Sequence, residues 1–231
     1  MSELDKRPTG ASKLLYELCE LETCIELELK GAMNVCLERI SEIKAKVSLL
    51  KKEAKLPPKF GTFTDTRDGR TYRTVRIGEQ TWLAENLAFA YAGSKCYNND
   101  LANADKYGRL YDWNTAKKAV PPGWHIPSDA EWTTLEKFVG NNAGTKLKAR
   151  SGWNNNGNGT DDYGFSALPG GYGDSSGDFS NVGYYGSWWS ATEYYANYAY
   201  CRYMYYDYDN VDNYNDFKSN LCSVRCLQDC D

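Results

Sequence analysis

Histidine occurs once in the 231 residues, at His125, and none of the eight cysteines is spaced as C-x-x-C. Structural zinc sites are built from clustered Cys and His. Cys222, Cys226 and Cys230 recur every four residues with no histidine nearby, so all eight cysteines, Cys19, Cys24 and Cys36 among them, read as free buried thiols, and neither a metal nor a cofactor is expected. Nothing signals an oxidising compartment, so no disulfide is assigned. Basic residues are too few and scattered for a nucleic-acid surface: 27 Lys and Arg stand against 31 Asp and Glu, the net charge is -4, and no basic cluster is longer than Lys51-Lys52. No run of about 18 apolar residues could insert into a membrane. The opening MSELDKRPTG lacks the basic-then-apolar pattern of a signal peptide, so the expected location is the cytoplasm or a larger particle.

Proline is absent from residues 12–55, and glycine occurs there once, at Gly31. Leu14, Leu18, Leu21, Ile25, Leu29, Ala32, Cys36, Ile40, Ile43, Val47 and Leu50 recur on average every 3.6 residues, which predicts one face of a long amphipathic helix. Acidic side chains crowd its first half and lysines its last, as the helix dipole favours. A lone helix cannot bury such a stripe against itself. Self-association into a homo-oligomer is the expectation, with a hairpin broken at Lys30-Gly31 as the alternative. Leu56-Pro57-Pro58 ends the helix, because proline removes a donor and restricts the residue before it. Residues 1–59 are therefore read as an oligomerisation stalk and 60–231 as a separate domain.

The texture changes after the prolines. TYRTVRIGEQTWLAENL alternates around Gly78-Glu79, a hairpin with glycine first as a type II′ turn prefers. Ser128-Asp129-Ala130-Glu131 is a capping box opening a short helix through Trp132, Leu135 and Phe138. Residues 140–187 read as ordered loops between short strands, and 199–207 and 221–227 as strands. The fold class is α+β, with short strands, two short helices and long loops behind a long N-terminal helix.

Between Tyr194 and Asp216, 17 of 23 residues are Tyr, Asn or Asp. Tyrosine supplies large contact area with a polar tip and few torsions to freeze, and Asn and Asp supply adaptable hydrogen bonding, the chemistry of antibody paratopes. Tyr194, Tyr195, Asn197, Tyr198, Tyr206, Asp207, Tyr208, Asp209, Asp212, Asn213, Tyr214 and Asn215 are read as lining one shared ligand-binding face. The alternative is that tyrosines such as Tyr203 and Tyr205 are ordinary core or inter-strand packing. Trp124, Trp188 and Trp189 are expected in the core. An EF-hand opening at Asp207 fails, because its fifth, sixth and twelfth positions hold Val211, Asp212 and Lys218. Asp161 and Asp162 read as turn formers, Glu193 as a strand-end anchor and His125 as structural, so no catalytic residue is named.

DGRTYRTVRIGEQTWLAENL, CYNNDLANADKYGRLYDWNTA, PPGWHIPSDAEWTTLEKFVG, DDYGFSALPGGY, GSWWSATE and SVRC, in this order, resemble the Fibrobacter succinogenes major paralogous domain family over about residues 62–229. The resemblance implies a C-type-lectin-like fold, grouped with that of formylglycine-generating enzymes. Where the family pattern carries cysteines, before PPGWH and in the NxxNCxxYG segment, this chain has Val120 and Ala104. Some members of the fold group are variable proteins of diversity-generating retroelements, whose C-terminal stretch is randomised at adenines. Asn, Tyr and Asp codons (AAY, TAY, GAY) differ at one first-position base, so the tract within about 190–226 looks like such a product. The resemblance thus implies a non-catalytic binder of a macromolecular ligand, expected to be a protein, in a cytoplasmic or phage-associated setting. The enzyme branch of the fold implies the alternative, a thiol- or copper-dependent oxidase using Cys226 with Cys201 or Cys222. A structural module without a ligand is the third reading. The EPN, QPD and WND strings of the lectin calcium site are absent.

Overall fold

The computed structural model describes residues 10–53 and 59–229. It divides the chain into two compact units, Met1–Lys55 and Leu56–Asp231. The Leu56-Pro57-Pro58 stop and Cys230 lie outside the described residues.

The described residues of the first unit form one helix, α1 (Gly10–Glu53), continuous through Gly31, so the hairpin alternative does not hold. An interior glycine costs a helix about 1 kcal/mol relative to alanine, too little to break one of this length. Leu18, Leu21, Ile25, Leu29, Ile40 and Ile43 are all exposed, by 47% to 64%. Cys19, Cys24 and Cys36 are exposed as well, unlike the buried thiols expected. Among the described residues no helix is long and apolar enough to cross a membrane.

The second unit carries two five-stranded sheets. In the first, β1 (Lys59–Thr64), β2 (Thr71–Ile77), β3 (Gln80–Leu83), β12 (Leu227–Gln228) and β5 (Trp124–His125) lie side by side in that order. The β2–β3 turn has φ 61° at Gly78 and no left-handed residue at Glu79, as a type II′ hairpin requires. The second sheet runs β10 (Asp212–Phe217), β9 (Tyr198–Tyr205), β8 (Tyr185–Tyr195), β11 (Cys222–Ser223), β4 (Leu110–Tyr111). A two-stranded ribbon, β6 (Tyr172–Gly173) with β7 (Phe179–Ser180), completes the set.

Among the described residues, four short α-helices and one 3-10 turn, Tyr97–Asn99, replace the two short helices expected. The capping box is present at α4 (Asp129–Val139), which buries Trp132, Leu135 and Val139. Both α2 (Leu101–Tyr107) and α3 (Trp113–Ala119) begin at an aspartate, Asp100 and Asp112, whose carboxylates accept from the first free amides. A single turn, α5 (Ala143–Leu147), follows α4.

Two large core clusters hold the sheets, with a small third one of Tyr97, Leu110 and Leu221. Trp82, Trp132, Phe165, Trp188 and Met204 anchor one, and Tyr72, Tyr111, Trp113, Trp124 and Trp189 the other. The strand expected over 221–227 is split in two by Arg225, whose fully buried guanidinium donates to Asn86 Oδ1 and to the carbonyls of Leu83 and Phe165. Asn86 Oδ1 also accepts from Trp188 Nε1, 2.8 Å away. A buried charge needs this many partners to be tolerated.

Candidate binding site

The Tyr/Asn/Asp tract forms the end of β8, then β9, β10 and the loop 206–211 between them. Register sets which side chains can meet. Trp188 stands opposite Arg202 and Gly186 opposite Met204, and this side of the hairpin faces the core. Arg202, 1% exposed, is neutralised there by Asp129 and Glu136, each at 2.6 Å. On the other side, Trp189 pairs with Cys201 inside the second cluster, whereas Tyr185, Tyr203 and Tyr205 further along are half-buried and reach solvent. Tyr203 and Tyr205 are therefore not core residues, but both pack across the strands on Tyr185, Tyr203 stacked at 5.2 Å and Tyr205 edge-on at 4.9 Å, as the packing alternative has it.

None of the twelve residues read as a binding face is buried. They do not all come together. Tyr194, Tyr195 and Asn197 sit at the β8–β9 turn, where Tyr194 packs edge-on against Tyr195 and Tyr200. Tyr198 lies 4.3 Å from the Phe217 ring. Tyr206, Asp207, Tyr208 and Asp209 occupy the opposite end of the hairpin, about 25 Å away by the rise of the eight-residue β9. On β10 the side chains alternate: Asp212 and Tyr214 share the side of Tyr203, whereas Asn213 and Asn215 lie on the side of Arg202. Asn213 Nδ2 donates to Asp129, 2.9 Å away.

The loop 206–211 is held mainly by its backbone, with Val211 buried and one side-chain bond, from Thr145 Oγ1 to Asp209 Oδ1 at 2.7 Å. Lys148, 3% exposed, donates from Nζ to the carbonyls of Tyr205, Tyr206 and Tyr208 at 3.1, 3.2 and 3.0 Å. The Tyr206 amide donates to the Tyr184 carbonyl and the Thr145 amide to that of Asp209. Gly144 and Gly157 allow this approach: a Cβ at either would come within 2.4 Å of the Asn210 or Tyr206 carbonyl oxygen. At the other turn, Lys218 Nζ donates to the Ala196 carbonyl and pairs with Glu193, which does anchor the strand end.

A hollow of about 470 Å³ opens beside this sheet, lined among others by Tyr172, Tyr185, Tyr203, Tyr214, Cys201 and Asp216. Tyr185 and Tyr203 are stacked at 5.2 Å, with Tyr172 set edge-on to Tyr185 and Tyr214 to Tyr203. Burial pushes the Tyr185 phenol up to about 12 and raises the Asp216 carboxyl above its ordinary range. Tyr172, Tyr185, Tyr203 and Asp216 escaped the sequence reading. The available signal was the alternation in AYCRYMYYD, which places Cys201, Tyr203 and Tyr205 on one side. A wider hollow of about 810 Å³ lies by the opposite turn, lined in part by Asp112, Asn197 and Lys218.

The thiols named for oxidase chemistry are buried. Burial pushes Cys201 and Cys226 up to about 12 and Cys222 well above its ordinary value, which suppresses the reactive thiolate. Among the described residues no cluster of His, Cys, Asp and Glu could hold a metal ion. His125 bridges Glu131 (3.0 Å) and Asp229 (2.6 Å), tying β5 to the chain's end. Asp161, with φ 48°, accepts from the Ser166 amide and hydroxyl as a turn former.

Comparison with family models finds the Fibrobacter succinogenes major domain over residues 75–228. Neither the curated proteins nor the solved structures give a match.

Proposed function

The chain belongs to the Fibrobacter succinogenes major domain family, and from that premise we propose that it is a non-catalytic binding protein whose Tyr/Asn/Asp tract contacts a protein ligand. One observation carries this reading. The tract is gripped through its main chain by Lys148 and Lys218, while its predicted contact side chains are left exposed or half-exposed. Such an arrangement tolerates replacement of one exposed side chain by another, as a diversified surface must. Tyrosines left in this state present rigid amphipathic area of the kind enriched in binding hot spots.

The finer parts belong to the same proposal. The domain is of the C-type-lectin-like kind, on the resemblance of its six ordered motifs. The tract is a product of adenine-directed diversification, on its codon relationship. The apolar stripe of α1 joins copies of the chain, so that weak single-site contacts gain avidity where sites engage together. The setting is cytoplasmic or phage-associated.

Selection of displayed peptides on the full chain tests binding. Ligands lost when Tyr206 and Tyr208 are changed to Ala support the proposal, and ligands indifferent to both changes contradict it. Diversification is tested in the flanking DNA, where a near-copy of the segment encoding residues 190–226, differing at adenines, should lie beside a reverse transcriptase gene.

A further inference from the structure

We propose that the hollow between β6, β8, β9 and β10 is a receptor for an organic cation, the guanidinium or ammonium group of an Arg or Lys side chain presented by the protein ligand. The inference rests on the binding function proposed above and names the chemistry that one part of the site selects.

Its lining is one-sided in charge. Among the described residues, Asp216 is the carboxylate that lines it, and no Lys, Arg or His does. The Asp216 carboxylate accepts from the Phe217 amide and from Asn220 Nδ2, both at 2.8 Å and both neutral. Among the described residues no cation pairs with it. Asp212, two residues before Tyr214, rises on the same side of β10 and adds negative charge. On the opposite side of the sheet the contrast is direct, because Asp129 and Glu136 have Arg202. A half-buried carboxylate without a counter-ion, in surroundings of reduced dielectric, attracts a cation more strongly than it would in water.

The aromatic walls favour the same ligand. Four tyrosines, Tyr172, Tyr185, Tyr203 and Tyr214, line the hollow, and aromatic rings attract cations, with guanidinium preferred because it also stacks. Tyr72 and Tyr111 have their hydroxyls tied to backbone groups. Among the described residues, the hydroxyls of the four lining tyrosines have no such protein partner and can accept N–H donors. The volume of about 470 Å³ falls within the roughly 300–1,000 Å³ of small-ligand sites. That suits one side chain inserted from a larger partner. A neutral sugar would also find aromatic walls, but it would leave the carboxylate uncompensated.

The full-length chain is titrated with N-acetyl-arginine amide and N-acetyl-lysine amide. N-acetyl-citrulline amide serves as the neutral isostere of the first, methyl glucoside represents the sugar class, and tyrosine ring resonances are followed by NMR. The expected result is saturable binding of the two cations in the millimolar range, with citrulline amide and the sugar about tenfold weaker or undetected. Asp216→Asn should weaken the cations by about tenfold. Glu79→Gln on the β2–β3 turn, which changes net charge equally, should leave them unaffected. Equal binding of citrulline amide, preference for the sugar, unsaturated shifts with every probe, or indifference to Asp216→Asn would overturn the proposal. If Asp216→Asn disturbs folding, Tyr214→Ala, at a residue 59% exposed, replaces it with the same expectation. A selected ligand that requires Tyr208 but ignores Asp216→Asn would remove the cation receptor and leave the binding function standing.

Discussion

Lys148 and Tyr205 are joined by a bond that does not depend on the tyrosine's side chain: the lysine ammonium donates to the backbone carbonyl, 3.1 Å away. The same nitrogen holds the carbonyls of Tyr206 and Tyr208. A residue outside the Tyr/Asn/Asp tract thus fixes the path of the tract.

Lys148→Met should destabilise the domain by about 1–3 kcal/mol, because three carbonyls lose a buried charged donor. Urea denaturation measures this. Tyr208→Ala, at a residue 55% exposed, should stay within about 0.5 kcal/mol. Reversal of that ranking would mean that the loop is held by its side chains.

Asp216 should make stability depend on pH in a definite direction. Burial raises its folded-state pKa above the ordinary 3.8. The folded chain therefore binds the proton more tightly, and the contribution is fully present below the unfolded value and lost as pH rises through the folded one. Asp216→Asn should then raise the melting temperature at neutral pH, with the gain disappearing as the pH falls below 3.8. A gain independent of pH would show that the carboxylate is not strained by its surroundings. Retaining such a residue against stability is what a binding role would require.

The stalk makes a separate prediction. On the proposal that the exposed Leu and Ile side chains along α1 join copies of the chain, removing residues 1–55 should turn an oligomer into a folded monomer by light scattering. A truncated chain that keeps its oligomeric state would exclude α1 as the assembly element.

Much of this was legible in the sequence wherever one local rule dominates. The 3.6-residue stripe marked α1, Gly78 marked the β2–β3 turn, and Ser128 with Glu131 marked the start of α4. Trp188 and Trp189 lie in the core as their motif implied. Legibility failed where distant segments cooperate. The hollow draws Tyr172, Tyr185, Tyr203 and Asp216 from separate strands, a juxtaposition set by sheet order. Lys148 sits in a Gly/Asn-rich stretch that reads only as loop. The single binding face expected is instead distributed over both ends of the β8–β9 hairpin and both sides of β10, because strand alternation separates Asn213 from Tyr214.

Tyr195, Tyr208 and Tyr214 are 66%, 55% and 59% exposed, whereas Tyr198 and Tyr206 pack against Phe217 and Tyr184. The most direct measurement is therefore a thermal melt of the combined Tyr195→Ala, Tyr208→Ala and Tyr214→Ala variant beside its binding to a selected ligand. A melting temperature within a few degrees of the parent chain, with binding abolished, is the expected result. A collapsed melt, or binding that survives all three changes, would contradict a tract built for contact.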